Sequence, residues 1–221
     1  MINKAIIIFI KECSAEVRFL SSSLVLILYS LSACLAVSFA NYNAVSSPES
    51  ESAFLWIILY FSAIAACSRS FTKEEEQLTA DLLRLSAPAE SIFIGKFLFN
   101  FVILLLLEII TVPIFVILNS CVISDIGLFS LELIFAALAI SSALTLTSAM
   151  ASHAKNKNML TAVISFPILI PCLLAAININ AYVFGAGDQL IAMSSLRILF
   201  YCFGISISAG LLLFRFVWRD N

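Results

Sequence analysis

Charge is scarce in this chain. Of 221 residues, 12 are Lys or Arg and 14 are Asp or Glu, while 62% are apolar. The charged share, 12%, is about half that of ordinary soluble domains. A water-soluble fold of this size would leave too much apolar surface exposed. That excludes an ordinary soluble enzyme, a disordered chain and a nucleic-acid-binding protein. Histidine is scarcer still: His153 stands alone beside Lys155 and Lys157, reads as a solvated loop residue, and gives no metal or heme ligand set. The six cysteines, Cys13, Cys34, Cys67, Cys121, Cys172 and Cys202, form no CxxC pair. They read as small apolar packing residues, and Cys121 alone is expected outside, without a disulfide partner. No Gly-x4-Gly-Lys-Ser/Thr phosphate loop occurs, so any nucleotide energy must come through a partner. No acid, base and nucleophile set stands out. No segment alternates polar and apolar residues with period two, which argues against a β-barrel. A cleavable signal peptide is not expected, because the apolar run Ala5–Ile10 is short and is followed by Lys11, Glu12 and Glu16.

What is present is apolar length. Six runs are long enough to cross a bilayer or nearly so: about 19–40, 53–68, 97–118, 127–150, 159–177 and 196–217. They predict an all-α polytopic membrane protein, a single transmembrane domain over residues 1–221. Eleven of the twelve Lys and Arg residues fall in 1–18, 69–96, 151–158 and the end of the last run; only Arg197 lies on the other side, with loops 41–52, 119–126 and 178–195. By the positive-inside rule both termini are cytoplasmic. Residues 2–20 carry Ile6, Phe9, Ile10, Cys13, Val17 and Leu20 at helical spacing, which predicts an amphipathic helix in the cytoplasmic interface.

The longest cytoplasmic connection is 69–96. Lys73–Leu85 reads as a helix with an apolar side of Leu78, Leu82, Leu83 and Leu85 and an acidic side of Glu74, Glu75, Glu76 and Asp81, ended by Pro88. Such a helix suits docking into a groove of a cytoplasmic partner; attachment to the membrane surface is the alternative. In the fifth run, Pro167 and Pro171 each remove a backbone hydrogen bond, which reads as a broken helix at a pathway or hinge, or as a static kink. In the fourth, small residues recur every four positions, Ala139, Ala143 and Thr147, then Ala137, Ser141, Thr145 and Ala149, as in a close helix contact within a bundle or a dimer. Glu108 lies near mid-membrane, where a charge is costly, so it must face protein or water or carry a proton. Glu132 and Arg197 lie at similar depth and could pair.

Several short motifs resemble one family. Arg69-Ser-Phe71 is similar to an Arg-x-Phe element at the end of span 2. Thr79-Ala-Asp81-x-Leu83 is similar to Gly-Ser/Thr-Leu-Glu-x-Leu. Pro88 followed by Gly95-Lys96 resembles a proline-rich stretch and the small residue plus Lys that opens span 3. Val112-Pro113 and Phe166-Pro167-Ile-Leu-Ile-Pro171 resemble further proline elements. Leu78, Ala80 and Ala87 depart from the family's Gly, Leu and Pro. The family is CcmB, the heme-exporter permease subunit of cytochrome c maturation, of the ABC-2 transporter type.

The resemblance implies a transport subunit rather than an enzyme, in a bacterial inner membrane. It implies an ATPase-coupling segment over Arg69, Phe71, Glu74, Glu75, Glu76, Thr79, Asp81, Leu82, Leu83 and Arg84, while the residues themselves suggest pathway or hinge positions at Glu108, Pro113, Pro167 and Pro171. The implied partners are a cytoplasmic ATPase of the CcmA type, a heme-handling membrane protein of the CcmC type, a small CcmD-type subunit, a periplasmic CcmE-type heme chaperone and a second copy of the chain. No cofactor is expected to be bound directly; heme is handled or transported, and ATP acts through the partner. An ABC-2 permease for another substrate (lipid, drug or polysaccharide) is the alternative. An ion-coupled secondary transporter fits less well, since the second half does not repeat the first.

Overall fold

The computed structural model describes residues 2–18, 20–41, 47–68, 70–71, 74, 79–152 and 157–219. Among them the regular structure is all helix, with no strand, as the composition predicts. The helices are α1 (Ile2–Arg18), α2 (Leu20–Asn41), α3 (Pro48–Cys67), α4 (Ala80–Ser86), α5 (Ala89–Asn119), α6 (Ile126–Ala151), α7 (Lys157–Val183) and α8 (Gln189–Arg219). Six of them, α2, α3 and α5 to α8, are long and apolar enough to cross a membrane.

Local chemistry sets the helix ends. Ser47 caps α3, its hydroxyl accepting from the Ser50 amide at 3.3 Å, with Pro48 in the first turn where no amide is needed. Asp125 caps α6 by accepting from the Leu128 amide at 2.9 Å. Ser120 ends α5 in the left-handed region at φ 54°, and the amide of Cys121 returns to the Val116 carbonyl. Gly185 and Gly187, at φ 103° and 102°, make the turn from α7 to α8. The helices overrun the apolar runs. The 31 residues of α5 span roughly 46 Å against about 30 Å of hydrocarbon, so its first turns stand outside the membrane core. The outer loop expected over 178–195 shrinks correspondingly: Asn180 is a fully buried residue of α7.

The bundle is built around α6, which packs on α3, α5, α7 and α8. Both of its small-residue rows are buried, from Ala136 to Ala149. They therefore serve contacts inside this chain, where short side chains let backbones approach. One large core runs along the spans. A second gathers at the end of the bundle that carries α1 and α4: Ile8, Phe71, Leu83, Ile92, Phe93, Leu146, Ala149, Phe214 and Trp218.

α1 lies against the first half of α5 with a face that periodicity did not select. Ala5, Ile8 and Glu12 are buried, whereas Ile6, Ile7, Ile10 and Val17 are exposed. The apolar stripe thus remains free for the membrane interface. Gly95 permits the crossing, since a Cβ there would lie 2.8 Å from Ile8 Cβ and 2.9 Å from the Ala5 carbonyl oxygen.

Gly210 plays the same part for α8: a Cβ at this position would penetrate the Phe93 ring, while Gly204 on the same helix has nothing within 4 Å. Gly210→Ala should therefore destabilise the protein by about 1–3 kcal/mol through overpacking. Gly204→Ala should be neutral or slightly stabilising through helix propensity. Thermal unfolding of both variants in detergent checks this; equal melting temperatures would contradict the packing.

Candidate functional site

The second core is crossed by an ionic cluster centred on Lys96. This residue sits two turns into α5 and is fully buried. Its Nζ donates to Glu74 Oε1 at 2.7 Å, to Glu12 Oε1 at 3.2 Å and to the Ser70 carbonyl, and it lies 4.8 Å from the centre of the Phe71 ring. Lys11, half exposed, bridges the same two carboxylates at 3.1 Å each. Two ammonium groups thus face two carboxylates. Burial alone would push the Glu12 carboxyl up, but Lys96, Lys11 and hydrogen bonding outweigh it and hold Glu12 below the ordinary glutamate value. For Lys11, burial opposes the charge, yet Glu12 and Glu74 raise it above the ordinary lysine value. Glu12 and Lys11 are therefore charged around neutral pH, within a set of four ion pairs. They tie three pieces of chain: α1 through Lys11 and Glu12, α5 through Lys96, and the connection after α3 through Ser70, Phe71 and Glu74.

Neutral polar groups fasten the same connection. The Asn100 amide donates to Thr145 Oγ1 at 2.8 Å and to Ser70 Oγ at 3.3 Å, and Ser148 Oγ donates to the Ser68 carbonyl at 3.3 Å. Phe71 is fully buried between Phe214 and Trp218, each ring centre 5.3 Å away. Beyond it, the Thr79 amide returns to the Glu74 carbonyl at 2.9 Å. α4 is then held from three sides: Leu83 enters the aromatic core, the Arg84 guanidinium lies 4.9 Å above the Trp218 ring, and Lys4 Nζ caps the Ser86 carbonyl at 3.0 Å.

These placements correct the sequence reading in two respects. Glu74 does not belong to an exposed acidic side; it is buried in the ion cluster, 4% exposed. The expected apolar side of Leu78, Leu82, Leu83 and Leu85 divides. Leu83 faces inward at 7% exposure, while Leu82 and Leu85 are 68% and 87% exposed. Adjacent helical residues point about 100° apart, so Leu82 and Leu83 cannot share a face, whereas residues three apart can. Regular helix is seen only over Ala80–Ser86, after Thr79, within the expected 73–85. Arg69, Lys73, Glu75, Glu76 and Leu78 lie outside the described residues, as do His153 and the side chain of Asp81.

The expected pathway positions are not brought together. Pro113 on α5 and Pro167 and Pro171 on α7 are exposed on the outside of the bundle, and both helices continue through them. The expected break in span 5 is therefore absent. A proline ring on the outer face avoids the core, and only the amide is lost. Glu108 is buried on α5, and its Oε2 has no hydrogen-bond partner. Glu132 does not pair with Arg197, which is exposed and donates to Ser194 Oγ. Instead, Trp56 Nε1 donates to Glu132 Oε1 at 2.9 Å. With its amide turned to suit its neighbours, Asn180 donates to Glu132 Oε2 at 2.5 Å. Sequence reasoning missed this Trp56–Glu132–Asn180 set, and no local spacing links residues on three different helices. Lys96 was seen only as part of a Gly-Lys motif; a lone lysine in an apolar stretch at 96 and a glutamate at 12 were the available signal.

A bundle of six apolar helices centred on the small-residue α6, with a short docked helix after the second span, defines a polytopic membrane protein. Among the described residues, its buried ion pairs gather where one inter-span connection is anchored. A comparison with protein families matches the CcmB protein family over residues 4–215. The chain belongs to this family. It is thus a multi-pass inner-membrane permease subunit of the heme-exporter ABC system, a transport subunit and not an enzyme. No curated protein matches the chain.

Removing the buried cation should be the most damaging change in the cluster. Lys96→Met would leave Glu12 and Glu74 sharing only the half-exposed Lys11, and losing one partner from a buried ion pair costs about 3–5 kcal/mol. Lys11→Met should cost about 1 kcal/mol or less, as for exposed pairs. The unfolding temperatures of the two variants in detergent compare these losses directly.

Proposed function

We propose that this subunit transmits movement of a cytoplasmic ATPase of the CcmA type into the membrane bundle, and so drives release of the heme-loaded periplasmic chaperone of the CcmE type. In this reading heme is cargo of the complex and is not ligated by this chain. The CcmC-type and CcmD-type subunits and a second copy of the chain complete the assembly. The observation that carries the reading is the anchoring of the connection after span 2: the Lys96 cluster fixes its root to α1 and α5, and Leu83 fixes α4 to the aromatic core. A force on α4 is therefore delivered to several helices at once rather than absorbed by a loose loop.

The docking surface of α4 is its outward pair, Leu82 and Leu85; Glu75, Glu76 and Asp81 are assigned on sequence alone as charges that set register. Phe71, Glu74, Thr79, Leu83 and Arg84 support the segment from behind, and Arg69 is assigned to it on sequence alone. Leu82→Asp and Leu85→Asp should each reduce copurification of the ATPase and lower the yield of c-type cytochromes by about tenfold, because a charge must be desolvated in the contact. They should leave subunit abundance unchanged, since both side chains are exposed. Normal ATPase recovery with both variants would remove α4 as the docking element.

The docking reading requires both termini and α4 on the cytoplasmic side. Labelling in intact cells with an impermeant thiol reagent, against the parent chain as background, should mark Ser47→Cys and Asp188→Cys. Leu85→Cys should react only after permeabilisation. Labelling of Leu85→Cys from outside would reverse the orientation.

A further inference from the structure

Two rings hold the last turns of α8 to the protein. From Leu211 to Trp218 only Phe214 and Trp218 are buried, four residues apart on one face of the helix. Leu212, Leu213 and Phe216 are exposed, and the half-buried Leu211 and Val217 pack against the core that the two rings enter. That aromatic core is what fastens this end of the helix. The rings of Phe214 and Trp218 stack at 5.5 Å, and each lies 5.3 Å from the Phe71 ring. Phe71 in turn lies 4.8 Å from the Lys96 ammonium. Along its length α8 packs on α6 and α7, so a shift of its end reaches the central helix of the bundle.

α4 meets the same core. Leu83 enters it, and the Arg84 guanidinium lies 4.9 Å above the Trp218 ring. Tryptophan offers a cation the best aromatic face. For packing alone it is a poor choice at this position. Its indole N–H is buried without an acceptor, a cost that phenylalanine would avoid while still stacking on Phe214. What the indole adds over a phenyl ring is the larger and more negative face turned to Arg84. Trp218 thus trades stability of the core for a tie to α4.

We propose that Trp218 is a positioning residue for α4, and that displacement of α4 passes through Trp218 and Phe214 into the last span. This rests on the reading of α4 as the docking element and deepens it. Movement of the docked helix then has two routes into the bundle. The ionic one runs through Lys96 to α1 and α5; the aromatic one runs through Trp218 to α8 and on to α6 and α7. Phe71 touches both, and the second route acts beside the first, not in place of it. The exposed side of α8, with Phe216 opposite Phe214 on the helix, lets its end move against hydrocarbon without breaking packed protein.

The test compares Trp218→Phe and Arg84→Gln, singly and together, in cells at matched membrane abundance and in the full chain purified in detergent. Trp218→Phe should unfold within about 3 °C of the parent chain or above it, because the lost ring area and the removed unmet donor offset each other. It should copurify the ATPase normally, yet its yield of c-type cytochromes should fall several-fold. Arg84→Gln should lower the yield similarly. The double variant should be no worse than the poorer single one, because both changes break one tie. A normal yield from Trp218→Phe would overturn the proposal, as would losses that multiply in the double variant. A melting temperature far below that range would also overturn it, since the indole would then serve packing. Lost ATPase recovery with Trp218→Phe would place this residue in the docking contact, and the route into α8 would fail. Failure of the docking reading is distinguished by normal ATPase recovery with Leu82→Asp and Leu85→Asp.

Discussion

The arrangement depends on one buried ammonium group. Lys96 has no exposure, and an isolated charge at such a site would be expensive. It is tolerated because Glu74, Glu12 and the Ser70 carbonyl converge on it from two other parts of the chain. That requirement fixes the geometry around it. α1 must lie along α5 so that Glu12 is within reach, and Gly95, immediately before Lys96, must lack a side chain so that α1 can come close enough. Phe71 must pack on the same ammonium, which draws the connection after α3 under the aromatic core. A buried ion pair is weak support for net stability but strong support for a particular register. Here the register is that of the segment leading to α4.

The large features of the fold were legible because hydrocarbon thickness leaves little choice. Apolar runs that long have to become spanning helices, and all six did so. The small-residue periodicity of α6 was also readable, because helix contact demands short side chains on one stripe; that both stripes face the interior is decided by the neighbours. What could not be read was the partner of each polar group. Glu12 stood only as a charge after the first apolar run and Glu74 as one of three equivalent glutamates, because period and composition do not register a lysine more than twenty residues further along. Glu132 was matched to Arg197 by depth alone, whereas Trp56 and Asn180 reach it across the bundle. The short α4 was over-read as one apolar face because four leucines close in sequence were grouped without regard to their angles.

The same geometry separates two sets of residues within the proposed coupling segment. Its inner residues, Phe71, Glu74 and Leu83, are committed to this chain, whereas Leu82 and Leu85 are exposed. The family motifs acquire physical content from this division. The Arg-x-Phe element supplies the ring beneath the buried ammonium, the Gly-Lys element supplies a close helix crossing and the cation itself, and the proline at position 88 starts α5 in extended backbone. The prolines of α5 and α7, in contrast, lie on the outer surface and leave their helices continuous. Movement in this chain is accordingly sought at its anchored connection rather than at a broken span.

The most direct test of transmission through the Lys96 cluster is Glu74→Gln. This change releases the charged tie to the connection while Glu12 and Lys11 continue to serve α1 and α5. At matched membrane abundance, the variant should still recruit the ATPase through Leu82 and Leu85 but yield several-fold less mature c-type cytochrome. Normal cytochrome yield with Glu74→Gln would contradict the account, since docking would then drive the complex without the ionic anchor.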